Sequence, residues 1–262
     1  MGWNGWASPR LFTLAQGQTE VHFPDGFGLP VRSDEALSAS TQVLNAYDEY
    51  IGSEVRQKIT IKYIKESERT EQIRGLRLRF TQAVVSLDEA PRYFSMASHD
   101  HMEMVITGAR TEGMTQLNKG EAAGFVIKDG LGRETAAHWI VPPGYDENHT
   151  VMNRLMGLHQ DVEIHFIAGH LHPYAKSIVI HDMTNDRLVF STDIESSADQ
   201  KVLTKIGNFS SAGDPIMLYA DHDYELVTVY NNTTDSDVTA MAVLNMYVLD
   251  TEFDADANGW RR

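Results

Sequence analysis

Cysteine is absent from this 262-residue chain, which excludes disulfides, thiolate ligands and a cysteine nucleophile together. Any metal ion must therefore be held by His, Met, carboxylate or water. No apolar run approaches the roughly 20 residues that a membrane-crossing helix needs. The start MGWNGWASPRLF also lacks the basic end and apolar centre of a signal peptide, so no membrane insertion is expected. The sequence has no G-x-S-x-G elbow, no H-E-x-x-H zinc helix, no G-x-G-x-x-G fingerprint and no G-K-[ST] of a P-loop. The Gly-rich stretch GEAAGFVIKDGLG at 120–132 reads as hairpin turns instead. Basic residues are scarce, 22 against 37 acidic for a formal charge of -15, so the surface should repel nucleic acid and anionic membranes.

Hydrophobic residues make up 42% and charged residues 23% of the chain, enough for one large core or two ordinary ones. Short β-branched segments separated by turns recur along its length. Residues 39–45 and 58–64 read as strands, the second alternating Ile59, Ile61 and Tyr63 against Lys58, Thr60 and Lys62. Residues 76–87 resume the alternation after a charged run at 65–74, where a domain boundary is placed. HWIVPPG at 138–144 is a strand entering a Pro-Pro-Gly turn, and 177–180 with 187–190 form a hairpin around Thr184, Asn185 and Asp186. Residues 225–230 and 240–249 add two apolar strands. No internal repeat or long amphipathic helix stands out. The pattern predicts an all-β fold of antiparallel, jelly-roll-like β-sandwiches, two packed together. The expected division is a partial first sandwich over 1–70, a second over 71–252, and a tail over 253–262.

Residues 162–182, VEIHFIAGHLHPYAKSIVIHD, concentrate the candidate chemistry. On a strand, side chains alternate between faces, so His170 and His172 share one face and His165 takes the other. Two such imidazoles can share a transition metal. Taken alone, they read rather as a polar strand edge whose histidines hydrogen-bond. Met241 follows 69 residues after His172 at the head of the last strand. Its thioether is a soft donor, and His, His and Met together favour copper, above all Cu(I). A methionine among Ala, Val and Leu also reads as core. His99 and His101 in SHDHMEM, with His138, are a second metal set to be considered. His222 between Asp221 and Asp223 reads as a solvated turn or as an imidazole held by a carboxylate. N-x-S/T triplets at Asn148, Asn208, Asn231 and Asn232 point to export, into an extracellular or periplasmic space.

The order His170-Leu171-His172, hairpin, Tyr230 strand, polar loop, Met241 and Met246-Tyr247 strand resembles the carboxy-terminal domain of the copper type II, ascorbate-dependent monooxygenases. That family includes the peptidylglycine alpha-hydroxylating and dopamine beta-monooxygenases. Ile140-Val141-Pro142-Pro143-Gly144 looks like its I-P-P-G turn, and Phe23-Pro24-Asp25-Gly26-Phe27-Gly28 like its L-P-K-x-V-G segment. The plant nodulin-19-like proteins share the same general form. The resemblance implies a catalytic copper on His170, His172 and Met241, oxygen activation, a reductant, and a small-molecule or peptide substrate. The departures are equally specific. Thr41-Gln42-Val43-Leu44 puts leucine where the family's first domain has a copper-binding histidine, no His-His pair exists, and the family's disulfides are missing. The resemblance further implies that the chain starts partway through the first domain. Three functions follow as alternatives: a mononuclear copper protein, a two-copper monooxygenase using His99, His101 and His138, and a non-catalytic β-sandwich binding or assembly module, with homo-oligomerisation open in each.

Overall fold

The computed structural model describes residues 10–43, 46–68, 72–88, 126–129 and 132–253. The strands in chain order begin with β1 (Phe27–Gly28), β2 (Arg74–Gln82), β3 (Val85–Ser86), β4 (Val126–Lys128), β5 (Glu134–Ala136) and β6 (Trp139–Val141). Next come β7 (Gly144–Val151), the one-turn helix α1 (Asn153–Met156), β8 (Val162–Leu171), β9 (Ala175–Asp182), β10 (Arg187–Ser191) and β11 (Ile194–Ser196). The series ends with β12 (Leu203–Ile206), β13 (Phe209–Ser210), β14 (Ile216–Leu218), β15 (Tyr224–Asn232), β16 (Val238–Ala240) and β17 (Ala242–Leu249). The fold is all-β and sandwich-like, as the sequence pattern predicts, and its main pairings are antiparallel.

Two sheets form the main sandwich. One runs β1-β2-β17-β8-β13, with β14 also pairing β8, and the other runs β10-β9-β15-β7. Their inner faces share one core, to which β8 and β17 contribute Ile164, Ile167, Leu171, Leu244 and Met246. Ile178, Ile180, Leu226 and Tyr230 face them from the second sheet. β15 alternates buried and half-buried residues along its whole length, the signature of a strand with one face inward. β8 and β17 are buried almost throughout because they are covered on both sides. Their outer face carries Phe166, Ala168 and Tyr247 under the N-terminal residues Phe12, Val21, Phe23, Phe27 and Leu29. Each large side chain so buried contributes about 1.5–3 kcal/mol. Gly169 is needed where β8 passes the β11–β12 ribbon, since a Cβ there would lie 2.9 Å from Ile206 Cγ2.

The hairpin forms where the sequence placed it, β9 and β10 pairing antiparallel. The strands expected at 39–45 and 58–64 do not form within the described residues. Alternation is present at 58–64, but no ladder reaches it, and Ile61 and Tyr63 are 52% and 74% exposed. A strand without a partner has no hydrogen bonds to fix it, so pattern alone is insufficient. His99 and His101 lie outside the described residues, as does the tail beyond Phe253.

Candidate functional site

β17 begins at a corner. Thr239 and Ala240 on β16 pair with Ile140 and Trp139 on β6, whereas Ala242 and Val243 on β17 pair with Leu171 and His170 on β8. Met241 lies between the two ladders, one residue past the Ala240–Trp139 pair and one before the Ala242–Leu171 pair. The His172 backbone N–H donates to the Met241 carbonyl at 3.1 Å. Tyr230 Oη, reaching over from the second sheet, donates to the same carbonyl at 2.7 Å. These two bonds fix the Met241 backbone beside the His-x-His strand. Directly opposed residues on antiparallel strands project to one face, so His170, His172 and Met241 share theirs. Met246, five residues on, is fully buried in the main core on the opposite face.

The histidines form a cluster. The ring centroids of His170 and His172 are 5.9 Å apart, and those of His138 and His172 are 5.6 Å apart. His138 is held by the two-residue link between β5 and β6. Its neighbour Trp139 is fully buried, donates from Nε1 to Asp146 Oδ2 at 3.0 Å, and stacks edge-on against Tyr230. The exit from β8 is equally constrained. Pro173 precedes Tyr174 at φ 71°, a conformation that usually needs glycine in a type II turn. Burial of Tyr174 and a bond from the Asn231 N–H to its carbonyl at 2.9 Å hold it there.

The electrostatics keep these imidazoles neutral. Burial pushes His138 down to about 4, with His172 adding to the effect. Burial likewise pushes His170 down to about 4, with His172, His138 and Arg10 contributing. His172 is lowered by burial, against a bond to the Thr239 carbonyl that favours its charged form. That bond, 3.2 Å from Nδ1, fixes the tautomer, because a carbonyl only accepts. The proton therefore sits on Nδ1 and the Nε2 lone pair is left available. His170 Nδ1 is buried without a hydrogen-bond partner among the described residues, so this face of β8 carries an unsatisfied polar atom. A neutral imidazole set of this kind suits a late transition metal. Among the described residues no three His, Asp or Glu side chains already converge as a metal-binding group.

Two expectations about other histidines are changed by the structure. Strict alternation set His165 on the face opposite His170, but the β8–β17 register shifts between Tyr247 and Val248. This bulge turns His165 toward the N-terminal layer, where its ring centroid lies 4.1 Å from that of Phe27 and Nδ1 is 3.0 Å from Ser211 Oγ. Asp221 of its own turn stands 3.9 Å from His222 Nε2, but the carboxylate hydrogen-bonded to His222 comes from elsewhere. It is Asp182, fully buried at the end of β9, with Oδ2 2.9 Å from His222 Nδ1. Asp182 also accepts from the Thr184 and Asn185 N–H groups at 3.0 and 3.2 Å, so this pair locks a hairpin. No sequence-local signal identified Asp182, because its partner lies 40 residues away.

Other imidazoles are structural too. Glu225 bridges two of them on the second sheet, His149 at 2.8 Å and His181 at 3.0 Å, while Glu147 and Asp186 hold their far nitrogens. Both histidines are raised above the ordinary value, chiefly by the Glu225 bond. Among the N-x-S/T triplets, Asn148 and Asn232 are buried and donate to the Val84 and Val141 carbonyls, so neither is open to modification in the folded chain. No protein-family model, curated protein or solved structure matches this chain.

Proposed function

We propose that this is a copper-binding protein whose centre is formed by His170, His172 and Met241, and that it hydroxylates a small-molecule or peptide substrate using an ascorbate-class reductant. Placement of Met241 directly opposite His172, on the same face of the sheet, carries this reading. Sixty-nine residues separate them in sequence, and the end of one ladder and the start of the next bring Met241 to the strand that carries both imidazoles. Copper would supply one-electron chemistry with oxygen, the activity that the family resemblance implies. The chain's own contribution is to hold His172 in one tautomer through Thr239, to keep the imidazoles unprotonated by burial, and to fix Met241 through its carbonyl. An extracellular or periplasmic location belongs to the same proposal.

Replacing His170 with Ala should abolish tight copper binding and leave the fold intact, because β8 keeps its backbone ladders on both sides when an imidazole is removed. Copper retention after desalting and the urea unfolding midpoint measure the two effects separately. Equal loss of copper and folded structure would mark His170 as structural, and unchanged copper would remove it from the centre. A chain that binds no copper at all would support the binding-module alternative.

A further inference from the structure

We propose that residues 54–65 are an interaction arm, which adds as a strand to the β7 edge of a second copy of this chain. Every residue from 31 to 43 and from 49 to 68 is exposed. That excursion carries ten of the sixteen large apolar side chains exposed among the described residues, with Ile59, Ile61, Tyr63 and Ile64 in one run. Apolar surface gathered in this way marks an interaction site. The two legs of the excursion approach each other, Thr41 and Val43 lining a shallow cleft with Val55, Gln57 and Ile59. Its bend is tied to the body: Tyr47 Oη donates to Asp199 Oδ1 at 3.4 Å, and Lys201 Nζ stands 5.7 Å from the centre of the Tyr47 ring. Yet the alternation of Ile59, Ile61 and Tyr63 with Lys58, Thr60 and Lys62 meets no ladder. A strand pattern of this kind is completed only by another edge that bonds its backbone.

Charge selects the edge. Arg56 pairs with Glu54 at 3.0 Å and Lys65 with Glu68 at 3.3 Å, which leaves Lys58 and Lys62 without an ion pair among the described residues. Two such arms laid together would set lysine beside lysine, whether parallel in register or antiparallel about Thr60, and like charges across strands repel. The rest of the chain is acidic, for a total of -15. β7 is the long edge of the second sheet, paired with β15 on one side and with no strand on the other among the described residues. Val84 bonds to β7 through the buried Asn148 and Thr150 side chains, which leaves the edge without a ladder. The outer face of β7 exposes Tyr145, Glu147, His149 and Val151. Glu147, Glu225 and Asp186 hold His149 and His181 between them, so three carboxylates against two imidazoles keep this face negative in either state of the histidines. The opposite edge, β10, is five residues long and brings Arg187 instead. With 58–64 added along β7, Lys58 and Lys62 project beside Glu147 while Ile59, Ile61 and Tyr63 turn to the inner side. Each copy has one arm and one edge, so a reciprocal exchange closes a two-fold pair.

Sedimentation velocity on the full chain, from about 1 to 100 μM, should show a monomer–dimer equilibrium that weakens as salt rises. Ile59→Asp with Ile61→Asp, at positions already exposed, should weaken association at least about 10-fold and leave the urea midpoint unchanged. Lys58→Glu with Lys62→Glu should weaken it too, as should Glu147→Lys alone, and joining the lysine and Glu147 reversals should restore most of the loss. Carbodiimide coupling in a mixture of isotopically heavy and light chains should link Lys58 or Lys62 to Glu147 across heavy–light pairs, which separates exchange from an arm folded onto its own β7. A wild type that stays monomeric at every concentration, or association untouched by the arm variants, would overturn the proposal. Association that responds to the arm but not to Glu147→Lys, with no coupling across heavy–light pairs, would overturn β7 as its seat. Copper retention should stay the same in all of these variants, since β8 and β17 belong to the other sheet.

Discussion

Replacing Met241 with Ile should weaken Cu(I) binding by about 10–100-fold or more, and Cu(II) binding far less. The asymmetry follows from softness, since the sulfur contributes mainly to the reduced ion. Isoleucine has similar bulk, and Met241 is only half-buried, so the stability cost should stay under about 1.5 kcal/mol. Met246 provides the internal control. It is fully buried in the main core on the other face of β17, so Met246→Ile should leave both copper affinities unchanged. Competition against a Cu(I) chelator and a Cu(II) chelator, run on both variants, measures all four constants. Wild-type Cu(I) affinity in Met241→Ile would make this methionine a packing residue and favour the binding-module reading.

The largest effect on stability is expected at the other end of the sandwich. Asp182→Ala should cost about 3 kcal/mol, because it removes a fully buried carboxylate that accepts from two backbone N–H groups, the Asn185 amide and His222. Burial alone would raise the Asp182 carboxyl, but the bonds from His222 and Asn185 outweigh it and hold it below the ordinary 3.8. A depressed carboxyl contributes stability that is complete above its unfolded value and is lost as pH falls through its native value. The gap between wild type and Asp182→Ala should therefore be full at neutral pH and shrink once the pH drops below about 4. Urea unfolding at neutral and acidic pH checks both statements. Copper affinity should not change, since His222 belongs to the hairpin lock; a parallel loss of copper would bring this pair into the centre.

Much of the sandwich was legible because its strands carry their own signals. The β9–β10 hairpin has turn residues between two alternating runs, and β15 alternates without a break. His170, His172 and Met241 were legible as donors by residue type and strand position. That Met241 comes to stand across from His172 depends on the register between β8 and β17, which sequence alone does not state. His138 was assigned with His99 and His101, since nothing local reveals that its ring would stand 5.6 Å from that of His172. The bulge that redirects His165 is a register effect of the same kind. Residues 58–64 show the opposite failure, a clear local pattern with no partner to complete it.

Copper content per folded chain, measured by elemental analysis after loading with excess copper and desalting, tests the central claim most directly. One tightly held copper is the expected result for the wild type, and none for His170→Ala at unchanged fold. A wild-type chain that retains no copper would contradict the account.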